Sequence, residues 1–119
     1  MHMPRGRASA VEHLAKAAPL FAALGDETRL GLVARLCASG PQSIVRLTDG
    51  TQVSRQAITK HLHALAEAGL VRSTRDGRER IWQLQTKRFS DARGYLEQIS
   101  AQWDDALERL RAFVEDDER

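Results

Sequence analysis

Between Ser54 and His63 the sequence SRQAITKHLH places Ser54, Arg55, Gln56, Thr59, Lys60 and His63 among apolar residues at helical spacing. Ile58, Leu62 and Leu65 recur every three or four positions and make a stripe for a core, so the polar six take the remaining faces. Their chemistry is that of base-edge readers. Arg and Lys pair with guanine O6 and N7, Gln with adenine N6 and N7, and hydroxyls with either. A second group follows in LVRSTRDGRERIWQL, where Asp76-Gly77 is a dipeptide suited to a type I′ hairpin turn between β-compatible residues. With those two in the turn, Arg75 faces Arg78, Ser73 faces Arg80, and Val71 faces Trp82 at the base. Arg75, Arg78 and Arg80 are then carried toward the tip, where they can reach phosphates or an adjacent minor groove.

Other chemistries are poorly served. Ser54 and His61 are seven residues apart, which on a helix separates them by about 10 Å along the axis, too far for a nucleophile and its base. There is no Gly-rich phosphate loop and no carboxylate pair with a task, so the sequence does not read as an enzyme and implies no cofactor. His61 and His63 are two apart and do not share a helix face. Cys37 is the only cysteine and cannot form an internal disulfide. It falls on an apolar stripe and is expected to be a buried small hydrophobe.

The charge distribution agrees with a polyanion partner for part of the chain. Residues 46–80 carry seven Arg and Lys against four acids, while 91–119 carry four Arg against nine acids. A basic middle and an acidic tail fit nucleic acid at the middle only. At 119 residues, 42% hydrophobic and 29% charged, the chain is expected to hold one modest core. It has no apolar run of about 18 residues and no signal-like apolar segment near its start, so the expected compartment is the reducing cytoplasm, away from membranes.

The elements that must position these groups can be read in order. Residues 1–8 look like a flexible arm, followed by a single domain over 9–119. Val11, Leu14, Ala15 and Ala18 keep helical spacing, and Pro19 is suited to open a new turn. Asp26 is an N-cap for a helix with Leu30, Val33, Ala34 and Cys37 as its stripe, closed by Gly40 and Pro41. SIVRLTDG is a short helix with a turn at Asp49-Gly50. Ser54 caps the next helix, and Gly69 stops it. The hairpin follows. From about Ser90 a stripe of Leu96, Ile99, Trp103, Ala106, Leu110 and Phe113 runs at alternating spacings of 3 and 4. The fold class is mainly α with a small β-hairpin, and the order of short helix, turn and capped helix is a helix-turn-helix.

The combination of ALGDETRL, SRQAITKHLHALAEAGLV and the Asp-Gly hairpin resembles the ArsR family of winged helix-turn-helix transcriptional regulators, over about residues 20–84. The tail YLEQISAQWDDALERLRAF resembles that of a subgroup without recognised metal ligands, whose genes often lie beside one for a START-like (SRPBCC) protein. The resemblance implies a homodimer built on the first and last helices, with Leu14 and the 96–113 stripe in its interface. It also implies a pseudo-palindromic operator and, usually, repression. By position, Ser54, Arg55, Gln56, Thr59, Lys60 and His63 match the recognition helix, and Arg75, Arg78 and Arg80 the wing. Where members commonly have Leu-Gly in the turn, this chain has Thr51-Gln52, and Gly50 is placed to take the tight-turn role.

Many members sense metals. Around SIVRL, where the resemblance would put a cysteine pair, there is none, and no histidine follows His63 to join Asp104, Asp105 and Glu108. No metal is expected. An effector, small molecule or protein, is left open. The 96–113 stripe could instead cap the monomer's own core, although one helix and one wing read only a few base pairs, which favours a two-fold dimer. The alternative function is a protein-interaction module that uses the same scaffold without specific DNA binding.

Overall fold

With aromatics at only 5% of the chain, Leu, Ile and Val carry the packing. The computed structural model describes residues 5–117, and their side chains at 15–116. The order is α1 (Arg5–Leu24), α2 (Glu27–Ser39), β1 (Gln42–Ser43), α3 (Ile44–Thr48), α4 (Arg55–Glu67), β2 (Val71–Asp76), β3 (Glu79–Leu84) and α5 (Thr86–Asp117). The three strands form an antiparallel sheet ordered β1-β3-β2. Leu20, Leu32, Leu36, Leu47, Ile58, Leu62, Leu65, Leu70, Val71 and Trp82 make one contiguous core between the helices and the sheet.

The capping residues act as their types require. The Asp26 side chain accepts from the Arg29 amide at 3.0 Å and starts α2. The Ser54 hydroxyl accepts from the Ala57 amide at 3.2 Å and starts α4. Gly69, at φ +79, ends the α4 segment, and Gly50, at φ +76, takes the left-handed conformation that lets the chain turn between α3 and α4.

Five expectations need correction. α1 begins at Arg5, inside the stretch read as an arm, because the Ala-rich run after it favours helix; residues 1–4 lie outside the described ones. Pro19 opens no new helix and sits within α1. Its neighbours Ala17, Leu20 and Ala23 are buried, and that packing holds the helix together across the missing N–H. On α2 the buried residues are Leu32 and Leu36, with Val33 half-buried, whereas Leu30, Ala34 and Cys37 are exposed. Two overlapping stripes compete there, and the one with two leucines removes more apolar area from water. Cys37 is therefore a surface thiol and not a small core residue.

The hairpin register also differs. Asp76 pairs with Glu79, Arg75 with Arg80, Ser73 with Trp82 and Val71 with Leu84, so the two-residue turn is Gly77-Arg78. Gly77 has φ +64, and among the described residues no non-glycine residue has positive φ. A type I′ turn over Asp76-Gly77 needs positive φ at both positions. Placing Gly first, as in a type II′ turn, needs it only at Gly77. Finally, α5 begins four residues before Ser90, because Arg88 ties its first turn down, donating through Nη2 to the Lys16 carbonyl at 3.1 Å and through Nε to the Ala68 carbonyl at 3.5 Å.

Candidate nucleic-acid interface

Ile58, Leu62 and Leu65 are 1%, 0% and 0% exposed, which locks the rotation of α4 about its axis. The opposite side then presents Arg55, Gln56, Lys60 and His63 to solvent, with Ser54 exposed at the N-terminus and Thr59 half-buried. Two of these hydroxyls are partly committed. The Ser54 oxygen holds the cap, and Thr59 Oγ1 donates to the Arg55 carbonyl at 2.7 Å. Thr59 therefore offers outward an acceptor and a methyl, which suits contact with a thymine methyl better than donation to a base.

His63 joins α4 to the wing. Its ring meets the buried Trp82 edge-to-face at 5.5 Å and 88°. Beyond Trp82, on the same face of the hairpin, Arg75 and Arg80 are direct cross-strand partners, and both are exposed. Like charges facing each other destabilise a bare hairpin, and an anion between them reverses that. Arg80 Nη1 donates to the Ser73 hydroxyl at 2.9 Å, which aims it along the strand, and Arg78 occupies the turn itself. Helix face and wing arginines thus lie on either side of the His63–Trp82 contact.

Histidine 61, on the flank of α4, belongs to a different network. Arg29 Nη1 donates to His61 Nδ1 at 3.1 Å while Arg29 Nε donates to the Ala23 carbonyl at 2.5 Å. A guanidinium has only donors, so Nδ1 is the acceptor and the ring proton sits on Nε2. The Asp26 carboxylate is 3.8 Å from Nδ1, and the Arg29 amide at its oxygen, helped by the charge of the Arg29 guanidinium, holds its pKa below the usual carboxylate range. The contact joins residues 32 apart in sequence, so the charge pattern of α2 gives no sign that Arg29 grips the helix-turn-helix.

Of the interface residues expected on the last helix, Leu96, Ile99, Trp103, Leu110 and Phe113 are exposed, Trp103 at 67% and Phe113 at 70%, and Ala106 is half-buried. The monomer's own core does not cover this stripe. The Leu14 side chain lies outside the described ones. Beside the stripe, Phe21, Leu24, Phe89, Ala92 and Leu96 line an apolar groove of about 440 Å³ between α1 and α5. Among the described residues no three His, Cys, Asp or Glu side chains come together as a metal site, and no helix is long and apolar enough to cross a membrane.

A short helix, a tight turn, a capped helix with a polar outer face and a basic hairpin at its side define a winged helix-turn-helix protein. A helix-turn-helix domain model matches residues 24–74. An uncharacterised HTH-type transcriptional regulator of Methanocaldococcus jannaschii is 33% identical over 67 residues, which cover 56% of this chain and 75% of that protein. The uncharacterised HTH-type regulator YuzN of Bacillus subtilis is 38% identical over 68 residues, 52% of this chain and 74% of its own length. An ArsR-like transcriptional regulator from Rhodococcus sp. RHA1 has a solved structure that superposes with a TM-score of 0.72 at 39% identity, over 84% of this chain and 93% of that one. The chain belongs to the ArsR family of winged helix-turn-helix transcriptional regulators. It is a regulator of that DNA-binding type and not an enzyme.

Proposed function

We propose that this regulator is a homodimeric repressor that binds a pseudo-palindromic operator and does not respond to metal. The observation that carries the DNA-reading part is the pairing of an exposed, donor-rich face on α4 with the Arg75–Arg80 like-charge pair across His63 and Trp82. In this reading Arg55, Gln56 and Lys60 read base edges, Ser54, Thr59 and His63 flank them, and Arg75, Arg78 and Arg80 hold phosphates.

The dimer is supported by the uncovered stripe on α5 and the apolar groove next to it, which a second copy would fill across a two-fold axis. Two recognition helices about 34 Å apart then meet successive major-groove faces of one duplex. Lack of metal response is supported by the single, surface-exposed cysteine and by the absence of any histidine after His63.

The test is selection of duplexes from a random library by the full chain, followed by binding of the selected duplex across a salt series and analytical ultracentrifugation of the free protein. A palindromic consensus, a steep salt dependence and a dimer at micromolar concentration are expected. A protein that selects no sequence and shows no salt-dependent DNA binding is instead an interaction module on this scaffold. Repression is read separately, by placing the selected duplex over a promoter driving a reporter.

A further inference from the structure

Arg35 lies on α2, outside the elements that carry the DNA-facing residues. Its Nη1 donates to the Leu47 carbonyl at 2.8 Å and to the Asp49 carbonyl at 3.0 Å. These two carbonyls belong to the end of α3 and to the turn that leads into α4. Five residues make α3 too short to hold its own last turn.

The neighbouring carbonyls are satisfied within the turn. Arg46 O accepts from the Asp49 amide at 3.2 Å, and Thr48 O accepts from the Thr51 amide at 3.1 Å and the Thr51 hydroxyl at 2.8 Å. Those of Leu47 and Asp49 reach across to a cation on another helix. A positive group over helix-terminal carbonyls is the favourable polarity, and both bonds are charge-assisted. Arg35 is fastened at its other end too. Its own carbonyl accepts from Gln42 Nε2 at 3.1 Å, and Gln42 pairs with Trp82 in the sheet that carries the wing.

We propose that Arg35 is a positioning residue for DNA recognition: it fixes the turn from which α4 departs, and so sets where Arg55 and Gln56 meet the base edges. The inference rests on the DNA-reading function proposed above. It makes a distinct claim, because in it Arg35 acts through the turn and not by its own contact with base or phosphate.

The experiment uses duplexes selected from a random library by the unmodified protein, with a scrambled duplex as the non-specific probe. Arg35→Ala is expected to lose about tenfold in affinity for the selected duplex and less than about threefold for the scrambled one, since misplaced base contacts carry the discrimination. The salt slope stays that of the unmodified protein, because no phosphate contact is removed. Arg35→Lys, which keeps a cationic donor pointed at the turn, recovers part of the selectivity. In the free protein, hydrogen exchange of the amides at 49–53 speeds up in Arg35→Ala while those of Leu62 and Leu65 stay protected. Should Arg35→Ala not fold, Arg35→Gln is judged by the same criteria. Unchanged selectivity, or an equal loss on both duplexes with a shallower salt slope, overturns the proposal. If the unmodified protein selects no sequence at all, the DNA-reading function falls first and this inference falls with it.

Discussion

Truncating Trp103 to alanine tests the proposed dimer where its energy should be concentrated. The indole is 67% exposed, and a tryptophan side chain presents up to about 250 Å², so about 170 Å² of mostly apolar area is open to solvent. At about 25 cal/mol per Å², full burial by a partner would contribute about 4 kcal/mol per protomer. Partial cover and the methyl left by alanine halve that to about 2 kcal/mol, in the range measured for interface hot spots. A two-fold interface contains the residue twice, so the loss is about 4 kcal/mol per dimer, a weakening of about a thousandfold in the dimer dissociation constant. Sedimentation equilibrium from nanomolar to hundred-micromolar concentrations reads this directly, with operator binding expected to weaken in parallel. The other tryptophan, Trp82, is buried, so a concentration-dependent shift in emission belongs to Trp103. A Trp103→Ala protein that dimerises like the unmodified one would refute the reasoning. So would an indole that keeps the emission of a solvent-exposed ring at concentrations where the protein is dimeric.

Three further outcomes are expected. Arg78→Ala should weaken binding to selected and scrambled duplexes alike and reduce the salt slope by about 0.9 per protomer, whereas Gln56→Ala should mainly relax preference at one base position; titrations at several salt concentrations separate the two. Gly77→Ala, at φ +64 with open space around the added Cβ, should destabilise the fold by about 1 kcal/mol through backbone strain alone, seen as a lower urea midpoint at unchanged slope. Asp26 has a depressed pKa in the folded chain, so its ionisation stabilises the fold above the unfolded-state pKa and that contribution is lost as pH falls through the lower, folded value. Asp26→Asn should therefore flatten the acid limb of stability, measured as urea midpoints from pH 7 down to pH 3, and a limb as steep as that of the unmodified protein would contradict it.

What could be read from the sequence was what depends on local chemistry. The α4 stripe, the Ser54 and Asp26 caps, and the turns at Gly50 and Gly69 each follow from one residue type at one position. The candidate site was legible for the same reason, since its outward face is the complement of Ile58, Leu62 and Leu65. Choices between near-equal alternatives were not legible. On α2 two apolar stripes overlap, and contacts with α4 and β3 decide between them. At the wing tip two turn placements share one Gly, and only the φ requirement separates them. β1 is two residues long, which is too short to show a period, and it exists because Gln42 and Ser43 pair with Trp82 and Ile81. The grips of Arg29 and Arg35 on the helix-turn-helix join residues 32, 12 and 14 apart in sequence, a separation that no local pattern reports.

The register of the wing limits how its length can change over evolution. One hairpin face carries Val71, Ser73, Arg75, Arg80, Trp82 and Leu84, and the other carries Arg72, Thr74, Asp76, Glu79, Ile81 and Gln83. Near the tip, the first face is basic and the second acidic. Adding one residue to each strand near the base would keep the pairing but turn the tip over, exchanging the two arginines for Asp76 and Glu79. Two residues per strand would keep the arginines on their present side and move them outward by about 7 Å, roughly one more phosphate along the backbone. Viable wings of this type should therefore differ in length by pairs of residues in each strand, and a relative whose wing breaks that parity should carry its basic residues at the alternate positions.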